Sequence, residues 1–364
     1  MIYRSEHQES SSSEHVVTTL QQMAARLAAL KGYEFAGEYD PAKKYDNLYF
    51  VPADTLLHKA ALKLGIRDEN NLFGGCVHQP FASTKSITHP LVDAAATAPP
   101  GWNHAFPDAV AASVLQGFSA FSRRDAQTAC SRLLPQGTIR LKPALGIGGS
   151  GQMIVASQSD LEAALATIAP DILACYGLVL EQNLDQVATY SVGRAQVDGN
   201  RISYHGIQRL TTNHQGESVY GGSSLYVVRG DYAALTRLTQ QPTLLSAIDQ
   251  ARCYDAAAEY HLGLMASRRN YDIAQGVDSS GQVRSGVLEQ SWRIGGASPA
   301  EIMALEAFTA DDGLKSIRVS THEVYGSAEP PGHANVHFQG VDSEVGAIQK
   351  YCTIDAYEYS AIET

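Results

Sequence analysis

A lysine followed by a glycine-rich loop is the most distinctive chemical feature of this sequence. A strand-like run, residues 138–141, ends at Lys142 and Pro143. The loop that follows contains four glycines and a serine: Gly146, Gly148, Gly149, Ser150 and Gly151. Backbone N–H groups of such a loop can bind phosphate oxygens, and the lysine ammonium can neutralise their charge. The pattern indicates a polyphosphate site, although a glycine-rich hairpin beside a surface lysine would have the same residues.

The same loop matches two better-known phosphate motifs only in part. Gly146, Gly148 and Gly151 match G-x-G-x-x-G, but that motif needs a helix directly after the glycines. Residues 152–156 have the pattern of a strand instead, and no Gly-Lys-Ser/Thr follows for a Walker A loop. The sequence therefore predicts strand, glycine loop, strand.

Two carboxylates flank a predicted β-hairpin further along the chain. Asp272 lies in one apolar strand and Glu289 at the end of the next, 17 residues later (289 − 272), with turn residues at 278–281. Mg²⁺ prefers hard oxygen ligands and is usually held by one or two carboxylates with phosphate oxygens and water. We interpret the two residues as candidate Mg²⁺ ligands, the alternative being surface carboxylates beside a turn.

Apolar periodicity and turn residues predict the elements that hold these groups. Helices are predicted for residues 14–31, 54–64 with Asp54 as N-cap, a segment after Lys85 that runs to residue 98, a segment capped by Ser122, 243–263 and 299–309. Strands are predicted at 47–51, 72–77, 114–121, 138–141, 153–156, 177–184, 271–277 and 283–289. Residues 187–229 predict an antiparallel sheet with turns at 198–200 and 221–222.

Composition excludes several classes of protein. The net charge of −11 over 364 residues argues against a nucleic-acid surface or an anionic membrane as the main partner. The five cysteines are scattered without a C-x-x-C pair, which fits a reducing compartment, and we expect the cytoplasm. A polar N-terminal region predicts no signal peptide, and no apolar run is long enough to span a membrane.

Taken in order, the candidate residues resemble the ATP-grasp superfamily of ATP-dependent carboxylate ligases. The resemblance covers about residues 47–300 and rests on Lys85, Lys142 with its loop, Glu181 at the end of an apolar strand, Asp272, Glu289 and Arg293. The chain is also similar to a bacterial branch of that superfamily described as a domain of unknown function. The residues that carry this second similarity are Phe73-Gly74-Gly75, Thr88-His89-Pro90-Leu91 and 289–296.

The resemblance implies an α/β (α+β) fold with ATP-grasp architecture. A small N-terminal α/β domain would precede two α+β subdomains that clamp ATP between them. The implied units are a tail and helix at 1–46, the N-terminal domain at 47–110, the central subdomain at 111–184, the C-terminal subdomain with the metal site at 185–312 and an extension at 313–364. We expect the extension to be a lid or a dimer contact.

The resemblance also implies a nucleotide site. Lys142 and the loop 146–151 would hold the phosphates, and Lys85 would be a second nucleotide-binding lysine, the alternative being a solvent-facing side chain. A hinge would bind adenine through backbone groups and the ribose through a carboxylate. Its residues would be Glu181, Gln182, Asn183 and Leu184, for which an ordinary strand end is the alternative.

For the metal site, Glu289 would be the bridging ligand and Asp272 its partner by the same resemblance. Many family members have an asparagine two residues after the glutamate, whereas this chain has Ser291, a weaker ligand, so the number of metal ions stays open. Arg293 and Lys142 would be the catalytic cations, and a guanidinium can bind a phosphoryl or carboxylate group bidentately. Arg209, Arg293 and Tyr220 are the candidate substrate contacts.

The predicted function is that of an ATP- and Mg²⁺-dependent ligase that joins a small-molecule carboxylate to an amine through an acyl phosphate. A phosphotransferase on the same scaffold and a non-catalytic nucleotide-binding module are the alternatives. No nucleic acid or membrane is expected as a partner, and a homodimer is an open expectation.

Overall fold

The computed structural model of the protein describes residues 1–4, 13–146 and 151–359. In this part of the chain the helices are α1 (Glu14–Leu30), α2 (His58–Lys63), α3 (Ala105–Val110), α4 (Arg123–Leu133), α5 (Gln158–Ala166), α6 (Pro170–Tyr176), α7 (Tyr232–Leu238), α8 (Pro242–Leu262) and α9 (Ser298–Ala310). The strands are β1 (Ile2–Tyr3), β2 (Val51–Pro52), β3 (Leu56–Leu57), β4 (Gly75–Val77), β5 (Gly117–Ala120), β6 (Ile139–Pro143), β7 (Met153–Val155), β8 (Leu178–Gln182), β9 (Asp185–Val197), β10 (Asn200–Thr212), β11 (Ser218–Arg229), β12 (Met265–Ala266), β13 (Arg268–Val277), β14 (Val283–Ser291), β15 (Leu314–Tyr325), β16 (Asn335–Asp342) and β17 (Gly346–Tyr359). The predicted mixture of helices and sheets is confirmed.

A four-stranded antiparallel sheet, in the order β5-β8-β6-β7, carries the glycine loop. Strands β6 and β7 pair with Ile139 opposite Val155, so the predicted strand, loop, strand order is confirmed. Helices α4 and α5 pack on this sheet, and the Ser122 and Ser157 side chains cap their N-termini.

An eight-stranded antiparallel sheet carries the predicted metal ligands, in the order β14-β13-β9-β10-β11-β15-β17-β16. Successive side chains of each strand point to opposite faces of the sheet, so each face packs against its own hydrophobic core. On one face Leu27 of α1 and Phe308 of α9 pack with Val319. On the other face Ile248 of α8 packs with Ile273. The predicted hairpin β13–β14 is confirmed and pairs Asp272 with Glu289.

Residues 314–359 do not form a unit apart from this sheet. Their strands β15, β17 and β16 continue it from β11, with Ser224 opposite Ser320. Leu314, Ile317 and Val319 are buried in the core that α1 and α9 cover. The proposed domain boundaries stay predictions, but the sheet joins 185–312 and 313–364 by backbone hydrogen bonds.

Two small sheets lie at the N-terminal side. One pairs β1 with β2 in parallel, and the other has the order β12-β4-β3, with β3 and β4 parallel. The helix predicted from an Asp54 cap begins only at His58, because Leu56–Leu57 pairs with β4 instead. No helix in the described residues is long and apolar enough to cross a membrane.

The helix predicted after Lys85 is wrong. Only Lys85–Ile87 forms a short 3₁₀ turn. Pro90 cannot donate a backbone hydrogen bond inside a helix, and its carbonyl accepts one from Ser119 N at 2.9 Å. This segment is held to β5 by tertiary contacts, which outweigh its local helical pattern.

The turn predicted at Gly221 and Gly222 is also wrong. Both glycines lie inside β11, opposite a register shift in β10. The chain reverses at 213–217 instead, where Asn213 N donates to Glu217 O. Glycine is required at 222 because a Cβ there would lie 2.0 Å from Thr321 O.

Candidate active site between the two sheets

Lys142 lies in a buried ion pair with Glu181. Lys142 is at the end of β6, Glu181 is on the neighbouring strand β8, and their exposed fractions are 1% and 0%. Glu181 Oε2 lies 3.0 Å from Nε2 of His89, a residue that is 1% exposed. Burial alone would raise the pKa of Glu181, but the Lys142 ammonium and the His89 hydrogen bond outweigh it, so the pKa is lowered. Glu181 is therefore ionised and shared by two partners.

Lys85 joins the glycine loop to the eight-stranded sheet. Its Nζ donates to Gly146 O at 2.6 Å and lies 2.8 Å from Glu289 Oε2. Lys142 Nζ lies 3.4 Å from Leu288 O, the carbonyl next to Glu289 in sequence. The two lysines and two glutamates thus occupy one continuous region between the sheets.

The connecting segment, residues 84–91, is fixed to both sheets. Gln290 Nε2 donates to Thr84 O at 2.7 Å, and Ser119 Oγ donates to Ser86 O at 2.5 Å. Gln290 points away from Glu289 because they are neighbours on β14. The segment therefore presents Lys85 to Glu289 with its backbone held in place from the other side.

Asp272 is the second carboxylate of the predicted metal pair. Asn270 Nδ2 donates to its Oδ1 at 2.8 Å, and Ser191 Oγ donates at 3.3 Å. Burial first, and then the nearby Glu289 carboxylate, raise its pKa to about 6, while hydrogen bonds from Gln208, Asn270 and Ser191 oppose the rise. The cause of the second contribution is that the two carboxylates lie on paired positions of β13 and β14.

A divalent cation of the Mg²⁺ type fits this donor set. Asp272 and Glu289 are hard oxygen donors that face each other across a strand pair, and a cation would relieve their repulsion. No cluster of three or more His, Cys, Asp or Glu side chains suited to a metal occurs in the described residues. Further ligands would therefore come from phosphate oxygens and water.

Ser291 is held by an arginine, in contrast to the other two metal candidates. Arg268 Nη1 donates to Ser291 Oγ at 3.0 Å. Arg268 is fully buried and is itself paired with Glu301 at 2.8 Å. The guanidinium repels a metal cation, and the neutral hydroxyl, unlike the Glu289 carboxylate beside Lys85, has no charge to offset that repulsion. The structure therefore gives Ser291 less support as a metal ligand than Asp272 and Glu289.

The predicted hinge connects the two sheets directly. Arg140 Nη2 donates to Asn183 Oδ1 at 2.7 Å, and Gln182 Nε2 to Asp278 Oδ2 at 3.3 Å. Leu184 is buried in a small apolar cluster. Glu181 points into the buried pair with Lys142, so its carboxylate is not presented to solvent as the predicted ribose ligand would be.

The loop itself is described only at its ends. The Gly146 carbonyl accepts a hydrogen bond from Lys85, and Gly151 has φ +72°, a conformation that favours glycine. The predictions for Gly148, Gly149 and Ser150 lie outside the described residues.

Arg209 is not brought together with the metal candidates. Neighbouring residues of β10 point to opposite faces. Gln208 donates to Ser191 Oγ, which itself donates to Asp272, whereas Arg209 donates to Thr321 O at 2.8 Å on the other side. Arg209 therefore lies on the face opposite Asp272.

Tyr220 lies beside the loop that follows the hairpin. A Cβ on Gly296 would lie 2.7 Å from its ring, so the glycine allows the close approach. Its hydroxyl is hydrogen-bonded to Ser223 at 2.7 Å and contacts Thr321 at 3.3 Å. Ser223 pairs with Gln208, which reaches toward Asp272 through Ser191, so the Tyr220 hydroxyl lies on the face of the sheet that carries Asp272.

Arg293 keeps solvent access, in contrast to the buried Lys85 and Lys142. Its side chain is 26% exposed, its Nε lies 3.5 Å from Asp54 Oδ1, and its Nη1 donates to Ile294 O. Strand β4 packs closely against Trp292, the residue before Arg293. A Cβ on Gly75 would lie 2.8 Å from Ala266 Cβ and 3.1 Å from Trp292 Cβ.

Sequence analysis missed the partners of these groups. His89 and Gln290 were part of quoted patterns but had no role, and Asn270 was not a candidate. The signal for Gln290 was its adjacency to Glu289, and the signal for His89 was its place four positions after Lys85 (89 − 85). Their targets lie 92 and 206 positions away in sequence, which no local pattern shows.

Comparison with known proteins places this arrangement in a known fold. The synthetase of N5-carboxyaminoimidazole from Staphylococcus aureus, complexed with ADP, is 12% identical with a TM-score of 0.55, covering 97% of this chain and 92% of that one. Phosphoribosylamine–glycine ligase from Thermotoga maritima is 11% identical with a TM-score of 0.51, covering 97% and 92%. The biotin carboxylase domain dimer of 2-oxoglutarate carboxylase from Hydrogenobacter thermophilus, with MgADP, ADP and bicarbonate, is 11% identical with a TM-score of 0.51, covering 99% and 90%.

These structures have the ATP-grasp fold, and this chain shares it, as the resemblance predicted. No curated protein sequence matches the chain. One family model, described as "Protein of unknown function (DUF3182)", matches residues 2–352.

Proposed function

The chain belongs to the DUF3182 family and has the ATP-grasp fold, and on this basis we propose that it is an ATP-dependent carboxylate–amine ligase. The observation that carries the proposal is the position of Lys85. Its ammonium lies within 2.8 Å of both a carbonyl of the glycine loop and the carboxylate of Glu289. A nucleotide phosphate bound by the loop would therefore lie next to the metal candidates.

In the proposed reaction the substrate carboxylate attacks the γ-phosphate of ATP in line. The bond between the γ-phosphorus and the bridging oxygen breaks, giving an acyl phosphate and ADP. An amine then attacks the acyl carbon, loses a proton and displaces phosphate. Because phosphoryl transfer needs mainly positioning and charge stabilisation, the cations of the site supply most of the catalysis.

Lys85, Lys142 and Arg293 are the proposed cations. Lys142 and the loop 146–151, including Gly148, Gly149 and Ser150, would hold the phosphates, and Lys85 would follow the transferring group. For Lys142 this requires its ammonium to share its contact with Glu181. Arg293, which keeps solvent access, would bind the transferred phosphoryl group or the substrate carboxylate.

The proposed metal ligands are Asp272 and Glu289, with Ser291 the least supported of the three. Mg²⁺ held there would supply positive charge that offsets the phosphate oxygens. Backbone groups of Gln182, Asn183 and Leu184 would bind adenine. Tyr220 would border the acceptor site, whereas Arg209 would reach it only from the opposite face of the sheet.

A screen of carboxylate and amine pairs for ADP release, with mass detection of the product, tests the proposal. For an active pair, Lys142→Ala and Glu289→Ala should each lower the rate about 10²–10³-fold, as loss of one preorganised electrostatic contact does. Lys315→Ala, on an exposed lysine of β15, is the control and should leave the rate unchanged.

Unchanged ADP formation in both site variants would contradict the assignment. A stable phosphorylated product that forms without an amine would instead favour the phosphotransferase. Binding of a non-hydrolysable ATP analogue without ADP release from any pair would favour a non-catalytic module.

A further inference from the structure

His89 and Lys85 come from the same connecting segment but reach opposite sides of the candidate site. Lys85 contacts Glu289 on the eight-stranded sheet, and His89 contacts Glu181 on the four-stranded sheet. Four positions separate them (89 − 85). One short segment therefore fixes a partner for each of the two buried or half-buried glutamates.

The contact of His89 decides how the Glu181 carboxylate is oriented. Lys142 pairs with Oε1 and His89 Nε2 lies 3.0 Å from Oε2, so each oxygen has its own partner. An ionised carboxylate only accepts hydrogen bonds, which means that Nε2 carries the hydrogen. The other ring nitrogen, Nδ1, has no hydrogen-bond partner in the described structure. The His89 ring therefore acts on the site through its hydrogen bond to Glu181.

The backbone around His89 leaves the ring little freedom. Pro90 O accepts from Ser119 N at 2.9 Å, and the Thr88 hydroxyl is hydrogen-bonded to Tyr254 OH at 3.0 Å. Ser119 lies on β5, which pairs with the strand that carries Glu181. The segment that carries the donor is thus hydrogen-bonded to β5, the neighbour of the strand that carries the acceptor.

We propose that His89 is a positioning residue of the nucleotide site. It holds Glu181 in the orientation that keeps the Lys142 ammonium at the end of β6, directly before the glycine loop. Without it, Glu181 Oε2 would be a buried charged atom lacking a partner, and the carboxylate would turn or recruit water to regain one. Lys142 would move with it. This inference rests on the proposed nucleotide-binding function.

Two variants of nearly equal polarity test the proposal. The amide nitrogen of glutamine can replace Nε2 of histidine, whereas the shorter asparagine reaches only the position of Nδ1. Binding of a non-hydrolysable ATP analogue with Mg²⁺ is measured by calorimetry, together with the midpoint of thermal unfolding. We expect His89→Asn to weaken binding roughly 10–100-fold, as loss of a hydrogen bond to a charged group does, and His89→Gln to stay within about 3-fold of wild type.

His337→Ala, which leaves a cavity, is the control for general loss of stability. His337 is also buried, at 4% exposed, and lies on β16 at the far edge of the large sheet. It should lower the unfolding midpoint and leave the dissociation constant unchanged. In an active assay, His89→Asn should raise KM for ATP and leave KM for the carboxylate unchanged.

The outcomes separate this inference from the function on which it rests. If wild type binds the analogue and His89→Asn binds it equally well, or if asparagine and glutamine weaken it alike, His89 has no positioning role. If wild type binds no nucleotide, the proposed function itself fails, and this inference fails with it.

Discussion

Asp272 illustrates how a residue suited to function can destabilise the free protein. Its pKa is raised from 3.8 to about 6 by partial burial and by the Glu289 carboxylate. At pH values below the pKa of Asp272 in the unfolded chain, this residue is protonated in both the folded and the unfolded state. It then does not lower the free energy of unfolding. As the pH rises from about 4 to 6 the unfolded chain loses the proton first, so the folded state loses relative stability, and above pH 6 the penalty is constant.

Asp272→Asn should therefore stabilise the metal-free protein at pH 8. We expect a gain of about 1–2 kcal/mol in the free energy of unfolding, allowing for partial exposure of the group. The gain should vanish near pH 4, and binding of the ATP analogue with Mg²⁺ should weaken. Urea unfolding at both pH values measures the difference, with Asp46→Asn, on an exposed aspartate, as the control. A gain that persists at pH 4 would exclude this explanation.

At the scale of elements, a glycine allows strand β4 to approach β12 and the end of the β13–β14 hairpin. Gly75 on β4 lies against Ala266 and Trp292, and no larger side chain fits without a shift. Gly75→Ala should destabilise the fold by about 1–3 kcal/mol, the usual cost of overpacking. Thermal unfolding measures it, and Gly332→Ala, with no atom within 4 Å of its Cβ position, is the matched control. Equal midpoints for the two variants would contradict the tight contact.

Elements with strong local signals were predictable from the sequence. Apolar runs around the glycine loop and the turn residues at 278–281 predicted β6, β7 and the β13–β14 hairpin. The exact pairing of Asp272 with Glu289 was not predictable, because it depends on a register shift between Asp272 and Ile273. The segment 86–98 was mispredicted because tertiary contacts of Thr88, His89 and Pro90 replace its helical hydrogen bonds.

The candidate site was predictable in its charged groups but not in their pairing. Lys142 and Glu181 were both named, yet as separate phosphate and ribose contacts, whereas they form one buried pair. The side of the sheet on which Arg209 lies depends on strand register, including the shift between Arg209 and Leu210. Neither property has a local sequence signal, because both depend on strands far apart in the chain.

At the scale of the whole molecule, residues 314–359 supply a large part of one core. A chain that ends at residue 312 would lose Leu314, Ile317 and Val319 from it and leave β11 with an unpaired edge. We expect such a chain to be unfolded or aggregated, as measured by circular dichroism and size-exclusion chromatography. A folded, nucleotide-binding product would instead support the predicted separate extension. Light scattering on the full chain would test the expected homodimer.

Helix α1 and its N-cap Ser13 make hydrogen bonds to parts of the chain that are more than 270 positions away. Ser13 donates to Asp342 at 2.8 Å, and Arg26 Nε donates to Glu306 at 2.8 Å. During synthesis, residues 13–30 leave the ribosome long before β16 exists. The apolar face of α1 therefore stays exposed until then. The core that it completes can form only when nearly all of residues 1–359 have left the ribosome. Folding of this large sheet is thus expected to finish only after β16 and β17 have been synthesised, and chaperones have time to bind α1.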